Sequence, residues 1–82
     1  MTVDEAVKEL EKGKGHIKFS RALKIATEFF GVPRITGSHH NFRMPWAGDP
    51  RVNLQPEGHM TKRYQGLQLL QALRKLKGGA NG

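Results

Sequence analysis

The apolar residues of this chain change their spacing at Pro33, and that change limits the folds open to it. Before Pro33 they recur at three- and four-residue intervals, the spacing of one face of an α-helix. After Pro33 they alternate with polar residues, the spacing of a half-buried β-strand. A chain of 82 residues buries enough apolar surface for one core only. The sequence therefore predicts a single α+β domain spanning residues 1–82.

Two amphipathic helices are predicted before Pro33. Thr2 opens a capping box ahead of an apolar repeat that stops at Gly13, so residues 1–15 are expected to form a short N-terminal extension helix. The second helix has Ser20 as its expected N-cap and ends at Gly31. Its apolar stripe consists of Ala22, Leu23, Ala26, Phe29 and Phe30.

Three short strands are predicted after Pro33, over residues 34–36, 39–44 and 51–55. Gly37 and Ser38 separate the first two, which predicts a hairpin. If Phe42 lies in the core, the alternation turns a polar row of each later strand outward. These outward residues are His39, Asn41, Arg43, Arg51, Asn53 and Gln55.

The predicted last helix begins after Thr61, its expected N-cap, and ends at Gly78. Its apolar face is expected to contain Tyr64, Leu67, Leu70 and Leu73, and Gly66 should weaken it by about 1 kcal/mol relative to alanine. Residues 78–82 are expected to be a flexible tail. The order of elements predicts a three-stranded antiparallel sheet packed on helices.

The composition limits both the class of binding partner and the cell compartment that we expect for this protein. Fourteen Lys and Arg against seven Asp and Glu give a net charge of +7, which favours a polyanion as the partner. Because cysteine is absent, a disulfide framework and a thiolate metal site are excluded, and the cytoplasm is the expected location. We expect no membrane partner, since no apolar stretch reaches the length of a membrane span and the N-terminus is acidic.

His39 and His40 are adjacent, and adjacent strand residues point to opposite faces. His39 is expected on the polar face with Arg43, and His40 is expected to be partly buried and structural. An imidazole both accepts and donates protons near neutral pH, so His39 is a candidate catalytic group. An ordinary turn carrying two surface histidines is the alternative. The histidines lack metal-ligand spacing, so neither a metal nor a cofactor is expected.

RNA suits a basic site without a metal, because its 2′-hydroxyl is an internal nucleophile that DNA lacks. Arg43, Lys62 and Arg63 are the expected phosphate contacts, the last two because anions favour helix N-termini. Two other interpretations remain open. One is a non-catalytic RNA-binding module, and the other is a basic subunit that binds an acidic protein. Trp46 is expected to anchor the core or a loop, with base stacking as the alternative.

Three segments of the chain resemble the HicA family of toxins from bacterial toxin–antitoxin systems. They are residues 34–43 (RITGSHHNFR), residues 52–56 (VNLQP), and Lys62 with Tyr64, Gln65 and Gln68. The resemblance extends from about residue 17 to residue 76. It implies a double-stranded-RNA-binding-domain-like fold, endoribonuclease activity on mRNA in a stress response, and inhibition by a HicB-type antitoxin protein in a type II system.

By position, the resemblance implies that His39 is the catalytic residue and that Gly37, with Ser38, shapes the turn of the site. His40 is the less favoured alternative, because some family members place their histidine one residue later. The sequence also departs from the family. The N-terminal helix is an addition, and Arg63 and Leu67 stand where a proline and a basic or polar residue are expected.

Overall fold

The computed structural model describes residues 1–48 and 50–78. Within them the chain forms three helices, α1 (Val3–Gly13), α2 (Phe19–Phe30) and α3 (Arg63–Lys77). A three-stranded antiparallel sheet has the order β1 (Arg34–Thr36), β2 (His39–Arg43) and β3 (Arg51–Leu54), and a short hairpin pairs β4 (Pro56–Glu57) with β5 (Met60–Thr61). The predicted α+β class and three-stranded sheet are confirmed. Most of the predicted flexible tail, residues 79–82, lies outside the described residues.

Helix α1 begins at the predicted capping box. The Thr2 hydroxyl accepts a hydrogen bond from the Glu5 backbone N–H at 3.1 Å, and the Glu5 carboxylate accepts one from the Thr2 backbone N–H at 2.7 Å. The helix ends at Gly13 and is capped by Lys14, whose φ of 52° lies in the left-handed region. The extension helix packs against α3, and its buried residues are Ala6, Val7 and Leu10.

Helix α2 begins at Phe19, so the prediction that Ser20 is the N-cap was wrong. Lys18 is the cap and makes no side-chain capping bond, while Ser20 lies exposed in the first turn. Long-range backbone pairing fixes this start instead. Lys18 forms a β-bridge with Met60, and the Phe19 N–H donates to the His59 carbonyl at 2.8 Å. A local sequence pattern contains no information on such pairing.

The sheet follows the predicted alternation. Phe42, Val52 and Leu54 are buried against the helices, so the polar residues between them face away from the core. Gly37 has a φ of +60° in the two-residue turn between β1 and β2. That conformation at the first central position of a tight hairpin turn favours glycine. The hairpin therefore sets the register in which Thr36 lies opposite His39.

The segment expected to be a break between the sheet and the last helix instead contains the β4–β5 hairpin. The Thr61 N–H donates to the Ile17 carbonyl at 2.8 Å, and Thr61 is fully buried. The prediction that Thr61 is a helix cap was therefore wrong, because its backbone is engaged in this pairing. Lys62 is the N-cap of α3 and makes no side-chain capping bond.

Helix α3 buries a face different from the predicted one. Leu70 and Leu73 are buried as expected, but Tyr64 is 57% exposed and Leu67 is 38% exposed. The remaining buried positions of the helix are Gln65, Gly66, Leu69 and Ala72. The buried face is rotated because Gly66 lies directly against Gly15: a Cβ atom on Gly66 would lie 1.8 Å from the Gly15 carbonyl oxygen.

Trp46 anchors the loop after β2. It is half-buried, its ring meets the Phe30 ring edge to face at 6.1 Å, and the Lys75 Nζ lies 4.7 Å from the ring centroid. These contacts agree with the expected anchoring role. None of the helices in the described part of the chain combines the length and the apolar character that crossing a bilayer requires.

Candidate functional site

The three strands of the main sheet present a continuous polar surface on the side away from the helices, which we call the outer face. The register places Arg34 and Asn53 on either side of Asn41, and Arg43 opposite Arg51. Thr36 and His39 pair at the end near the turn. The outer face consists of Arg34, Thr36, His39, Asn41, Arg43, Arg51, Asn53 and Gln55.

His39 is exposed at the start of β2, directly after the Gly37–Ser38 turn. Both ring nitrogens are in contact with side-chain amides of the neighbouring segment. The Nδ1 atom lies 3.1 Å from the Nδ2 atom of Asn53, and the Nε2 atom lies 3.1 Å from the Nε2 atom of Gln55. The imidazole is therefore held in one orientation while it remains accessible from solvent.

Asn53 and Gln55 were predicted to face outward but were not predicted to belong to the site. The alternating row on the third strand indicated their side of the sheet. It did not indicate that they contact His39, because the register of β2 against β3 depends on the loop between the strands. Their amides can both donate and accept hydrogen bonds, so they can fix the proton position on an imidazole.

His40 points to the other face of the sheet, as predicted. It is half-buried, and its Nδ1–H donates to the Ser38 carbonyl at 3.1 Å. Its ring meets the Phe19 ring edge to face at 5.2 Å. These contacts fix His40 between the turn and α2.

Arg43 shares the outer face with His39 but does not lie beside it. Arg43 is four positions after His39 along β2, which corresponds to about 14 Å. Arg43 instead lines a groove at the other end of the sheet, together with Val32, Arg34, Asn41 and Arg51. The outer face thus has an imidazole at one end and three guanidinium groups at the other.

Lys62 and Arg63 are the other predicted phosphate contacts. Although they are adjacent in the chain, they contact different parts of the molecule. The Lys62 N–H donates to the Gln55 carbonyl at 3.5 Å, so the Lys62 backbone borders the residue that contacts His39. Arg63 is exposed, and its Nη1 atom donates to the Lys14 carbonyl at 3.3 Å. Its guanidinium therefore lies at the end of α1, away from the turn that carries His39.

Gln65, in the first turn of α3, belongs to a segment that resembles the HicA family, but it was not predicted to contact the site. It is 1% exposed. Its Oε1 atom accepts a hydrogen bond from the Gln55 backbone N–H at 2.7 Å, and its Nε2 atom donates to the Gln55 Oε1 atom at 2.9 Å. The acceptor satisfies a backbone donor at the end of β3, where the strand is covered by a helix. The spacing of Gln65 with Leu69 and Leu73 is the sequence signal that could have placed it on the buried face.

The helical side of the molecule has a different electrostatic character. Ion pairs join α1 to the other helices: Asp4 with Lys77 at 2.6 Å, Glu9 with Arg21 at 2.7 Å, and Glu11 with Arg74 at 2.6 Å. The hydrogen bond from Lys77 lowers the pKa of Asp4, and the bond from Arg21 lowers the pKa of Glu9. In residues 1–48 and 50–78, no three histidine or acidic side chains converge as metal ligands would.

Comparison with known proteins adds no relative: no protein-family model, curated protein or solved structure matches this chain significantly.

Proposed function

We propose that this protein is a metal-independent endoribonuclease that cleaves mRNA and acts as the toxin of a type II toxin–antitoxin system. The observation that carries the proposal is the His39 imidazole, which is exposed on a polar surface and held there by Asn53 and Gln55. A fixed, accessible imidazole is the group that proton transfer at a ribose requires.

The order of elements supports the same proposal. From α2 to α3 the chain runs helix, three antiparallel strands, the short β4–β5 hairpin and a helix. Apart from that hairpin, this is the order of a double-stranded-RNA-binding-domain-like fold. In that comparison α1 is the N-terminal addition. The outer face supplies a basic and amide-rich surface wide enough for several nucleotides, since it reaches from His39 to Arg43.

The reaction needs only groups that RNA and this surface supply. An imidazole nitrogen of His39 takes the proton of a 2′-hydroxyl, and the 2′-oxygen forms a bond to the adjacent phosphorus. The bond from phosphorus to the 5′-oxygen breaks, and water protonates the leaving oxygen. The products are a 2′,3′-cyclic phosphate and a 5′-hydroxyl. Lys62, whose backbone borders Gln55, stabilises the negative charge on the reacting phosphate, and the arginines at the other end of the outer face bind phosphates further along the RNA.

The test is cleavage of single-stranded and hairpin RNA by the purified protein with a chelator present. We expect His39→Ala to lower the cleavage rate by about 10² to 10⁴, the usual contribution of a general acid or base. His59→Ala is the matched control, because His59 is an exposed histidine in the turn between β4 and β5. We expect it to cleave at the wild-type rate.

Two outcomes separate the proposal from its rivals. An RNA with a 2′-deoxyribose at the cleaved position should resist the wild-type protein, because the nucleophile is missing. An unchanged cleavage rate in folded His39→Ala would contradict the assignment of His39.

The role as a toxin predicts growth arrest on expression of the wild-type protein but not of His39→Ala, and relief of that arrest by a HicB-type antitoxin.

A non-catalytic RNA-binding module is the second candidate, and one observation favours it. Both nitrogens of His39 are already engaged by amides, as in a residue whose role is to shape a binding surface. This candidate predicts RNA binding without cleavage products, and RNA affinity that His39→Ala changes while the RNA stays intact.

A further inference from the structure

Gln65 occupies a position from which it controls the hydrogen bonds of the site without touching solvent. It is 1% exposed, and its Oε1 atom lies 2.7 Å from the Gln55 backbone nitrogen. A backbone N–H can only donate, so the oxygen of the Gln65 amide must face it. The orientation of this buried amide is therefore fixed.

The fixed amide determines the orientation of the next one. Since the Gln65 oxygen is used by the backbone, its Nε2 atom donates to the Gln55 Oε1 atom at 2.9 Å. The Gln55 amide must then present its own Nε2 atom on the other side, where it lies 3.1 Å from the His39 Nε2 atom. The backbone donor thus orients two successive side chains.

The orientation of Gln55 determines where the His39 proton lies. A neutral imidazole has one nitrogen with a lone pair and one with a hydrogen. Because Gln55 donates to Nε2, that atom carries the lone pair and Nδ1 carries the hydrogen. The Asn53 amide must accept from Nδ1–H, so its Oδ1 atom belongs at the position 3.1 Å from Nδ1. Rotating the Asn53 side-chain amide by half a turn gives its Oδ1 atom this hydrogen bond. Without the rotation, Oδ1 is buried and has no hydrogen-bond partner among the described residues.

We propose that Gln65 is a positioning residue that holds His39, through Gln55, as the Nδ1–H tautomer with the Nε2 lone pair on the outer face. The inference rests on the proposed ribonuclease function, in which Nε2 is then the atom that takes the 2′-hydroxyl proton. The substrate hydroxyl replaces the Gln55 N–H at Nε2. Gln65 itself touches neither substrate nor the reacting atoms.

The direct test is the tautomer of His39, measured by long-range ¹H–¹⁵N correlation in alkaline buffer, where the ring is neutral. We expect the wild-type protein to show an unprotonated Nε2 and a protonated Nδ1. Gln65→Met removes both hydrogen bonds at similar volume, and we expect it to give a mixture of the two tautomers. Gln68→Met is the matched control, since Gln68 is exposed on the same helix, and it should keep the wild-type spectrum.

A second variant keeps the inference testable if Gln65→Met does not fold. Gln55→Glu leaves the backbone bond to Gln65 intact but places a carboxylate oxygen against Nε2. A carboxylate only accepts hydrogen bonds, so Nε2 must become protonated. An unprotonated Nε2 in Gln55→Glu, an Nε2–H tautomer in the wild-type protein, or a wild-type spectrum in folded Gln65→Met would each overturn the inference.

Kinetics separate this inference from the proposed function. We expect Gln65→Met to lower kcat by about tenfold or more with KM little changed, because the wrong tautomer offers a hydrogen where the reaction needs a lone pair. A wild-type protein that has the expected tautomer and cleaves no RNA would refute the ribonuclease and leave the hydrogen-bond chain standing. Unchanged kcat in folded Gln65→Met, in a protein that cleaves RNA, would refute the role of Gln65 alone.

Discussion

At the scale of single residues, Gly66 shows how a contact reverses a preference of the local sequence. A glycine inside a helix costs about 1 kcal/mol relative to alanine, so helix propensity alone predicts that Gly66→Ala stabilises the protein. In the folded chain the Gly66 Cα packs on the backbone of Gly15, which has a φ of +80°. The contact between α3 and the turn after α1 therefore requires a residue without a side chain.

We expect Gly66→Ala to lower the free energy of unfolding by about 1 to 3 kcal/mol, as overpacking of a tight contact does. Gln71→Ala is the control, because Gln71 is exposed on the same helix and alanine there has room. Urea denaturation of the two variants and the wild-type protein gives the comparison. A stabilised Gly66→Ala protein would show that the two backbones separate easily.

At the scale of elements, α1 is attached to the rest of the molecule by both packing and charge. The Arg21 guanidinium donates two hydrogen bonds to the Glu9 carboxylate, at 2.7 Å and 2.9 Å. This bidentate contact lowers the pKa of Glu9 below its ordinary value. Because the folded-state pKa is lowered, the pair stabilises the fold above about pH 4.3, the ordinary glutamate value. The contribution is lost as the pH falls through the folded-state pKa.

A double-mutant cycle on Glu9→Gln and Arg21→Gln measures this contribution. At pH 7 we expect a coupling energy of about 0.2 to 1 kcal/mol, the range for partly exposed ion pairs. In buffer well below the folded-state pKa, the coupling should approach zero, because the carboxylate is then protonated in the wild-type protein as well. A coupling that is absent at neutral pH, or that persists unchanged in acid, would contradict this account of how α1 is held.

The strands were predictable from the sequence because their determinants are local. The alternation around Phe42 identified the outward row, and the Gly37–Ser38 turn identified the hairpin. The starts of α2 and α3 were not predictable, because the pairing of the β4–β5 hairpin with Ile17 and Phe19 joins segments about forty residues apart. Pairing over such distances depends on the whole fold rather than on local spacing.

The candidate site was likewise predictable from the sequence only in part. Alternation was enough to place His39 in solvent and His40 against the helices. The contacts of His39 with Asn53 and Gln55 depend on strand register, and the burial of Gln65 depends on the packing of α3 over the end of β3. A glutamine in a helix is also a surface residue on average, because buried polar groups are uncommon and must be satisfied individually.

At the scale of the whole molecule, basic residues lie both on the outer face and on the helices. We predict that RNA follows the outer face, so that Arg34→Gln weakens RNA binding and reduces the salt dependence of its affinity. Removing one phosphate-binding cation should lower the slope of log K against log salt by about 0.7 to 0.9. Lys24→Gln is the control with the same change of charge, since Lys24 is exposed on α2.

Fluorescence anisotropy of a labelled RNA over a salt series measures both slopes. Equal slopes for the two variants would mean that RNA senses only the total charge of the protein. A larger change of affinity and slope in Lys24→Gln than in Arg34→Gln would show that RNA binds the helical side instead.

The ion pairs between α1 and its neighbours have a consequence for how the protein meets a polyanion. Asp4, Glu9 and Glu11 each form an ion pair with a cation of α2 or α3. A nucleic acid that meets this side of the protein therefore finds three of its cations already bound to carboxylates. Binding there would require the phosphates to displace the contacts that hold α1 in place. The N-terminal helix thus makes its own side of the protein a poorer surface for RNA.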